Sequence, residues 1–167
     1  MNETKLTRDG KVLTIERVIN APKDKVWDAY TVADEFAKWF APEGWSTYVK
    51  RLDFTPGGYL QYAMKCEDES QTEWFGQQTW GKSVYLTTSP KDGFTYKDYF
   101  CDEDGVPTEG MPVTEIEMRF EELDGKTKIT SIATYESEAG LEQTLAMGME
   151  EGMKQTFNKL ASVLEHK

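Results

Sequence analysis

Nucleophilic catalysis by a serine or cysteine needs a base beside it, most often a histidine, and the chain has one, His166, next to last. A histidine so close to the end is expected in a frayed tail. That disfavours Ser-His-Asp and Cys-His arrangements, and zinc sites built from His and Cys lack support for the same reason. The two cysteines, Cys66 and Cys101, have neither metal-ligand spacing nor a secreted-type disulfide framework, and both are expected as reduced, buried strand residues. No catalytic residue, metal or cofactor is assigned. The chain carries 30 acidic residues, and a solvated surface accounts for nearly all of them. Asp98 stands apart, because by strand parity it shares a face with Tyr96 and Phe100, the expected pocket side.

The aromatic and methionine residues suggest binding rather than catalysis. Tyr62, Met64, Trp80, Tyr96 and Phe100 from strands, Trp39 and Phe40 from a short helix, and Met149 and Met153 from the last helix are candidates to converge on one interior. Core packing explains many such residues. Methionine is nevertheless a pliable filler, and tyrosine and tryptophan bring polar groups that a dry core must satisfy, so a cavity for an apolar or aromatic molecule is the expected site. Gly152, also assigned to its wall, would leave volume that a filled core normally occupies.

Periodicity supplies the elements that must position these residues. Val12 to Ile19 alternates as a strand, and Asn20-Ala21-Pro22 opens a helix over 23–30, with a second short helix from Asp34 carrying Phe36, Ala37, Trp39 and Phe40. Strands are expected over 48–54, 59–66, around 74–88 and over 94–101, with a polar loop over 102–110 and further strands from Thr114 and over 127–135. Their alternation suits an antiparallel sheet with one face in solvent. A helix from about 139 to 164 follows from Leu145, Met149, Met153, Phe157, Leu160 and Leu164 at three- and four-residue intervals. Gly148 and Gly152 lie inside it, allowing close approach of a strand or leaving room.

At 167 residues the chain suits one domain with a single core, over about 12–164. A net charge of −11 opposes binding to nucleic acid or to an anionic membrane surface. No stretch approaches the roughly 18 apolar residues of a membrane span, and the first residues lack the apolar core of a signal peptide, so a cytoplasmic location is expected and membrane insertion is not.

Several motifs resemble the activator of heat-shock protein 90 ATPase-like family. They are the run from Val18 to Thr31 followed by Trp39-Phe40-Ala41-Pro42, Pro56-Gly57-Gly58 with Tyr62 and Met64, Trp80 to Tyr85 running to Tyr96-Lys97-Asp98-Tyr99-Phe100, and Met147 to Met153 running to Leu160. The resemblance covers about Leu13 to Leu164 and departs from the family's pattern at Thr87-Thr88, where Glu-Ile is common. It implies the START-related, birch-pollen-allergen-like superfamily: an α+β helix-grip fold, with a curled antiparallel sheet of about six to seven strands around a long C-terminal helix and an apolar cavity between them.

Three functions follow as alternatives. The first is binding of a small hydrophobic molecule, aromatic or lipid-like, in that cavity. The second is co-chaperone action on a chaperone or other protein through a surface. The third is a cyclase- or aromatase-like enzyme using the same cavity, which needs converging acid and base groups. The first asks least of the sequence, and the eukaryotic activators carry a separate N-terminal chaperone-binding domain for which 167 residues leave no space.

Overall fold

The computed structural model describes residues 3–165; His166 lies outside them. Eight strands form one antiparallel sheet: β1 (Lys5–Asp9), β2 (Val12–Ile19), β3 (Trp45–Leu52), β4 (Tyr59–Cys66), β5 (Gln78–Ser89), β6 (Gly93–Cys101), β7 (Thr114–Leu123) and β8 (Lys126–Tyr135). Their spatial order is β1-β2-β8-β7-β6-β5-β4-β3, so the chain runs out to the β3 edge and returns strand by strand to β2. Helices α1 (Lys23–Thr31) and α2 (Ala33–Phe36) fill the crossover between β2 and β3, while α3 (Glu138–Ala146) and α4 (Met149–Glu165) close the chain.

The expected α+β architecture is present, with three differences. The strand count is eight because β1 pairs with β2 across the two-residue turn Gly10-Lys11, with Gly10 at φ +60°. β1 escaped notice because Lys5-Leu6-Thr7-Arg8-Asp9 shows no apolar alternation. The second short helix ends at Phe36, and Ala37 to Trp39 follow as turns. The C-terminal helix is two helices. Ser137 caps α3 by accepting from the Gly140 amide at 3.0 Å, and Gly148, at φ +87°, ends it in the left-handed conformation that glycine adopts without steric penalty. The chain turns at Met147-Gly148 before α4 begins.

One sheet face carries the core. Leu13, Ile15 and Ile19 of β2, Ile129 and Ala133 of β8 and Phe120 of β7 are buried there with Phe157, Leu160, Ala161 and Leu164 of α4. α4 lies against β2, where buried Arg17 donates from Nη1 to Asn158 Oδ1 at 2.7 Å and to Thr4 Oγ1 at 3.2 Å. The opposite face is not wholly in solvent, as the alternation had suggested. The loop after β6 folds across it: the Glu103 carbonyl accepts from Gln61 Nε2 at 2.8 Å and Lys50 Nζ at 2.7 Å, and Gly105 O accepts from Lys82 Nζ at 3.4 Å. Gln61, Ala63 and Cys101 are thereby buried.

Candidate functional site

The register of three neighbouring strands sets the site. Leu60 pairs with Ser83 and Tyr62 with Gly81 across β4 and β5, and Gly81 pairs with Phe100, Ser83 with Asp98 and Tyr85 with Tyr96 across β5 and β6. Side chains alternate across a strand, so Leu60, Tyr62, Ser83, Tyr85, Tyr96, Asp98 and Phe100 share the inner face. A Cβ on Gly81 would lie 2.6 Å from Cζ and the hydroxyl of Tyr62, so the bare glycine is what lets that ring lie across the sheet.

Two voids of about 40 Å³ each flank Tyr62 and Asp98, which line both. Over the first, Tyr30 of α1, Phe36 of α2 and Phe40 form the roof above Leu60, Ser83, Tyr85, Phe94 and Tyr96. The second is bounded by Met64, Thr79, Trp80, Gly81, Tyr99 and Phe100. A volume of about 40 Å³ admits a few waters. It is far below the roughly 300 Å³ of a site for a drug-sized molecule, so the expected pocket takes the form of two small chambers in this state.

Asp98 is the carboxyl among the lining residues, which include no Lys or Arg. It is half-buried by area, but protein atoms crowd it, and that desolvation pushes its pKa up to about 7, against a smaller lowering from the Ser83 hydroxyl, which donates to Oδ1 at 3.2 Å. The second carboxylate oxygen has no hydrogen-bond partner among the described residues, and neither have the hydroxyls of Tyr30, Tyr62, Tyr85 and Tyr96. None of these oxygens is sealed off; each borders space that water can reach. Burial raises all four phenols above their ordinary pKa, and the Asp98 charge adds to this for Tyr62, Tyr85 and Tyr96. The arrangement can therefore donate or accept hydrogen bonds inside an apolar shell, and Asp98 can gain or lose a proton near neutrality.

Of the residues singled out from the sequence, Phe40, Tyr62, Met64, Tyr96, Asp98 and Phe100 meet around the voids. Trp80 borders the second void, yet its ring belongs to the outer face, 6.4 Å from Tyr48 and with Lys50 Nζ 5.6 Å above it. Trp39 is fully buried behind the roof, donating from Nε1 to the Ala29 carbonyl at 2.9 Å. Met149, Gly152 and Met153 do not line either void. Met149 and Met153 of α4 pack against the hydrophobic core instead, and α1 and α2 take the position assigned to the C-terminal helix. Tyr30, Phe36, Ser83, Tyr85 and Phe94 were missed. Parity counted from Asp98 across the paired strand would have found Ser83 and Tyr85.

Among the described residues no group of three or more His, Cys, Asp or Glu side chains is placed to hold a metal ion, and no helix is long and apolar enough to cross a membrane. No curated protein matches the chain. Solved structures do. A Mycobacterium smegmatis protein, Ms6760, is 29% identical with a TM-score of 0.86, over 97% of this chain and 96% of its own. A Staphylococcus epidermidis protein is 31% identical with a TM-score of 0.82, over 97% and 94%. An Arthrobacter aurescens protein is 27% identical with a TM-score of 0.87, over 98% and 92%. Residues 20–165, from the end of β2 through α4, match the family described as activator of Hsp90 ATPase homolog 1-like protein, and the chain belongs to that family.

Proposed function

We propose that the space around Tyr62 and Asp98, beneath α1 and α2, binds a small, largely apolar, aromatic molecule. One observation carries this: a carboxyl and four phenol groups, unpartnered except for the Ser83 contact, border water-sized space inside a shell of Phe36, Phe40, Leu60 and Phe94. Polar groups in an apolar interior need a partner, water or ligand, and a ligand that displaces the water must carry a polar group to replace its hydrogen bonds. Binding requires Tyr62 to swing off Gly81 and join the two chambers. The lipid-like ligands considered above are too large for this space.

Native mass spectrometry of freshly purified protein, followed by a fragment screen read on amide and side-chain shifts, tests the proposal. Co-purified or added monocyclic aromatics should shift Tyr62, Tyr96 and Asp98. Gly81→Ala forces the Tyr62 ring aside, the movement that binding requires, and should tighten binding about tenfold, near 1.4 kcal/mol. A screen that moves none of these resonances would sink the proposal.

A separate observation favours a second function, docking to a protein. Trp74 and Phe75, adjacent in the loop before β5, are half exposed, and Trp74 stands 6.5 Å from Trp45. Co-chaperone action through this surface predicts that Phe75→Ser abolishes stimulation of a heat-shock protein 90 ATPase while leaving the Asp98 resonances in place.

A further inference from the structure

Resting on the cavity proposed above, we infer that the ligand is a small amine, its protonated nitrogen held by Asp98 and its apolar or aromatic substituent lying against the rings of the roof. Five observations converge. Asp98 lines both chambers, so a group placed between them meets it. Among the described residues its only hydrogen-bond partner is the Ser83 hydroxyl, on Oδ1, which leaves Oδ2 to accept from a ligand N–H. No Lys or Arg lines either chamber, so the carboxylate has no counter-charge of its own. The rings of Tyr30, Phe36, Phe40, Phe94 and Tyr96 offer the faces that attract a cation. The chain's net charge of −11 favours approach of a cation over an anion.

The competing ligand classes fit less well. A carboxylate ligand would place a second negative charge beside Asp98 with no cation to offset either. A neutral hydrocarbon would displace water from beside the carboxyl and the phenols and offer them no partner. A ligand carbonyl that accepts from Asp98 can do so only from the protonated acid, so that contact is lost as pH rises, whereas an amine gains one.

The groups facing Asp98 make that pH dependence readable. They are Tyr30 from α1, Tyr62 from β4, Ser83 and Tyr85 from β5, Tyr96 from its own strand, and Thr114 of β7, which pairs with it; Tyr135 of β8 and Cys101 are the next titratable neighbours. Every tyrosine among them, and Cys101, is shifted upward, away from neutrality. Between pH 6 and 8 Asp98 is the group of this set that changes charge.

The experiment compares benzylamine, benzyl alcohol and benzoate, three probes of nearly one shape, by shifts of Tyr62, Tyr96 and Asp98 in the full chain. Benzylamine should bind at least tenfold more tightly than benzyl alcohol at pH 8, and benzoate should not bind. Its affinity should rise about tenfold from pH 6 to pH 8, as the ionised fraction of a carboxyl titrating at about 7 rises. Asp98→Asn should weaken benzylamine at least tenfold and benzyl alcohol by a much smaller factor. The wild-type pH profile reads the same interaction with no substitution. If benzyl alcohol matches or exceeds benzylamine at these resonances, or affinity for the amine is flat across this range, the amine assignment is overturned and the cavity stands. If none of the probes moves these resonances, both fall.

Discussion

On the side of the sheet nearest α4, β2 and β8 offer Leu13, Ile15, Ile19 and Ile129 to Phe157, Leu160 and Leu164, and the buried Arg17 there is held by Asn158 and Thr4. Beneath α1 and α2, β4, β5 and β6 offer Tyr62, Tyr85, Tyr96, Ser83 and Asp98, with gaps between them. Both halves obey the same inward alternation. They differ in what remains open: the first is closed by apolar contact, with the buried Arg17 Nε left unpartnered among the described residues, while the second retains polar atoms and room. One half holds the fold and the other is left available for binding.

This contrast is breakable by substitution. The largest effect belongs to the closed half: Phe157→Ala should destabilise by about 3–5 kcal/mol in chemical denaturation, because its neighbours leave no partner to fill the hole. A loss under 1 kcal/mol would mean that α4 is not packed as a core. Next comes Asp98→Asn, with the opposite sign. A carboxyl titrating at about 7 folded and near 3.8 unfolded is protonated more readily in the folded state, so stability is full below pH 4 and falls as pH rises to 7. The loss above pH 7 is at most on the order of 4 kcal/mol. The asparagine variant should regain much of it at pH 8, and the dependence of melting temperature on pH between 4 and 7 should flatten. An unchanged pH profile would show that Asp98 is well solvated. The smallest effect is at Gly152, where an added Cβ meets nothing within 4 Å: Gly152→Ala should stabilise by about 0.5–1 kcal/mol through helix propensity alone and leave probe binding unaltered.

The sequence carried much of this where a two-residue period was the signal. Tyr62, Met64, Tyr96, Asp98 and Phe100 were placed on the inner face by alternation, and the structure agrees. Trp80 shows the limit of the method, since its ring type suggested a wall, whereas its pairing with Ala63 puts it on the outer face beside Tyr48. At the C-terminus helical spacing put Met149 and Met153 on the apolar stripe of α4, and there they pack against the core. What the spacing does not report is which part of the sheet that stripe covers: α4 lies against β2, and α1 and α2 cover the first void. The roof was half legible. Phe40 was found through its cluster, but Tyr30 and Phe36 gain their role from long-range approach of α1 to Phe94 of β6 and of α2 to Tyr62 of β4, which no local pattern reports.

The loop that crosses the back of β4 and β5 bears on how the chambers open. Its carbonyls at Glu103 and Gly105 tie down Lys50, Gln61 and Lys82, side chains from three adjacent strands, so that part of the sheet is braced from behind. A wall fixed in this way does not breathe. Movement that admits a guest must come from the opposite side, where α2 is a single turn whose N-cap position has no side-chain hydrogen bond. In hydrogen exchange, amides of β4 and β5 should therefore be among the slowest in the molecule and those of 33–40 among the fastest, with a bound guest slowing the second set and leaving the first as it was.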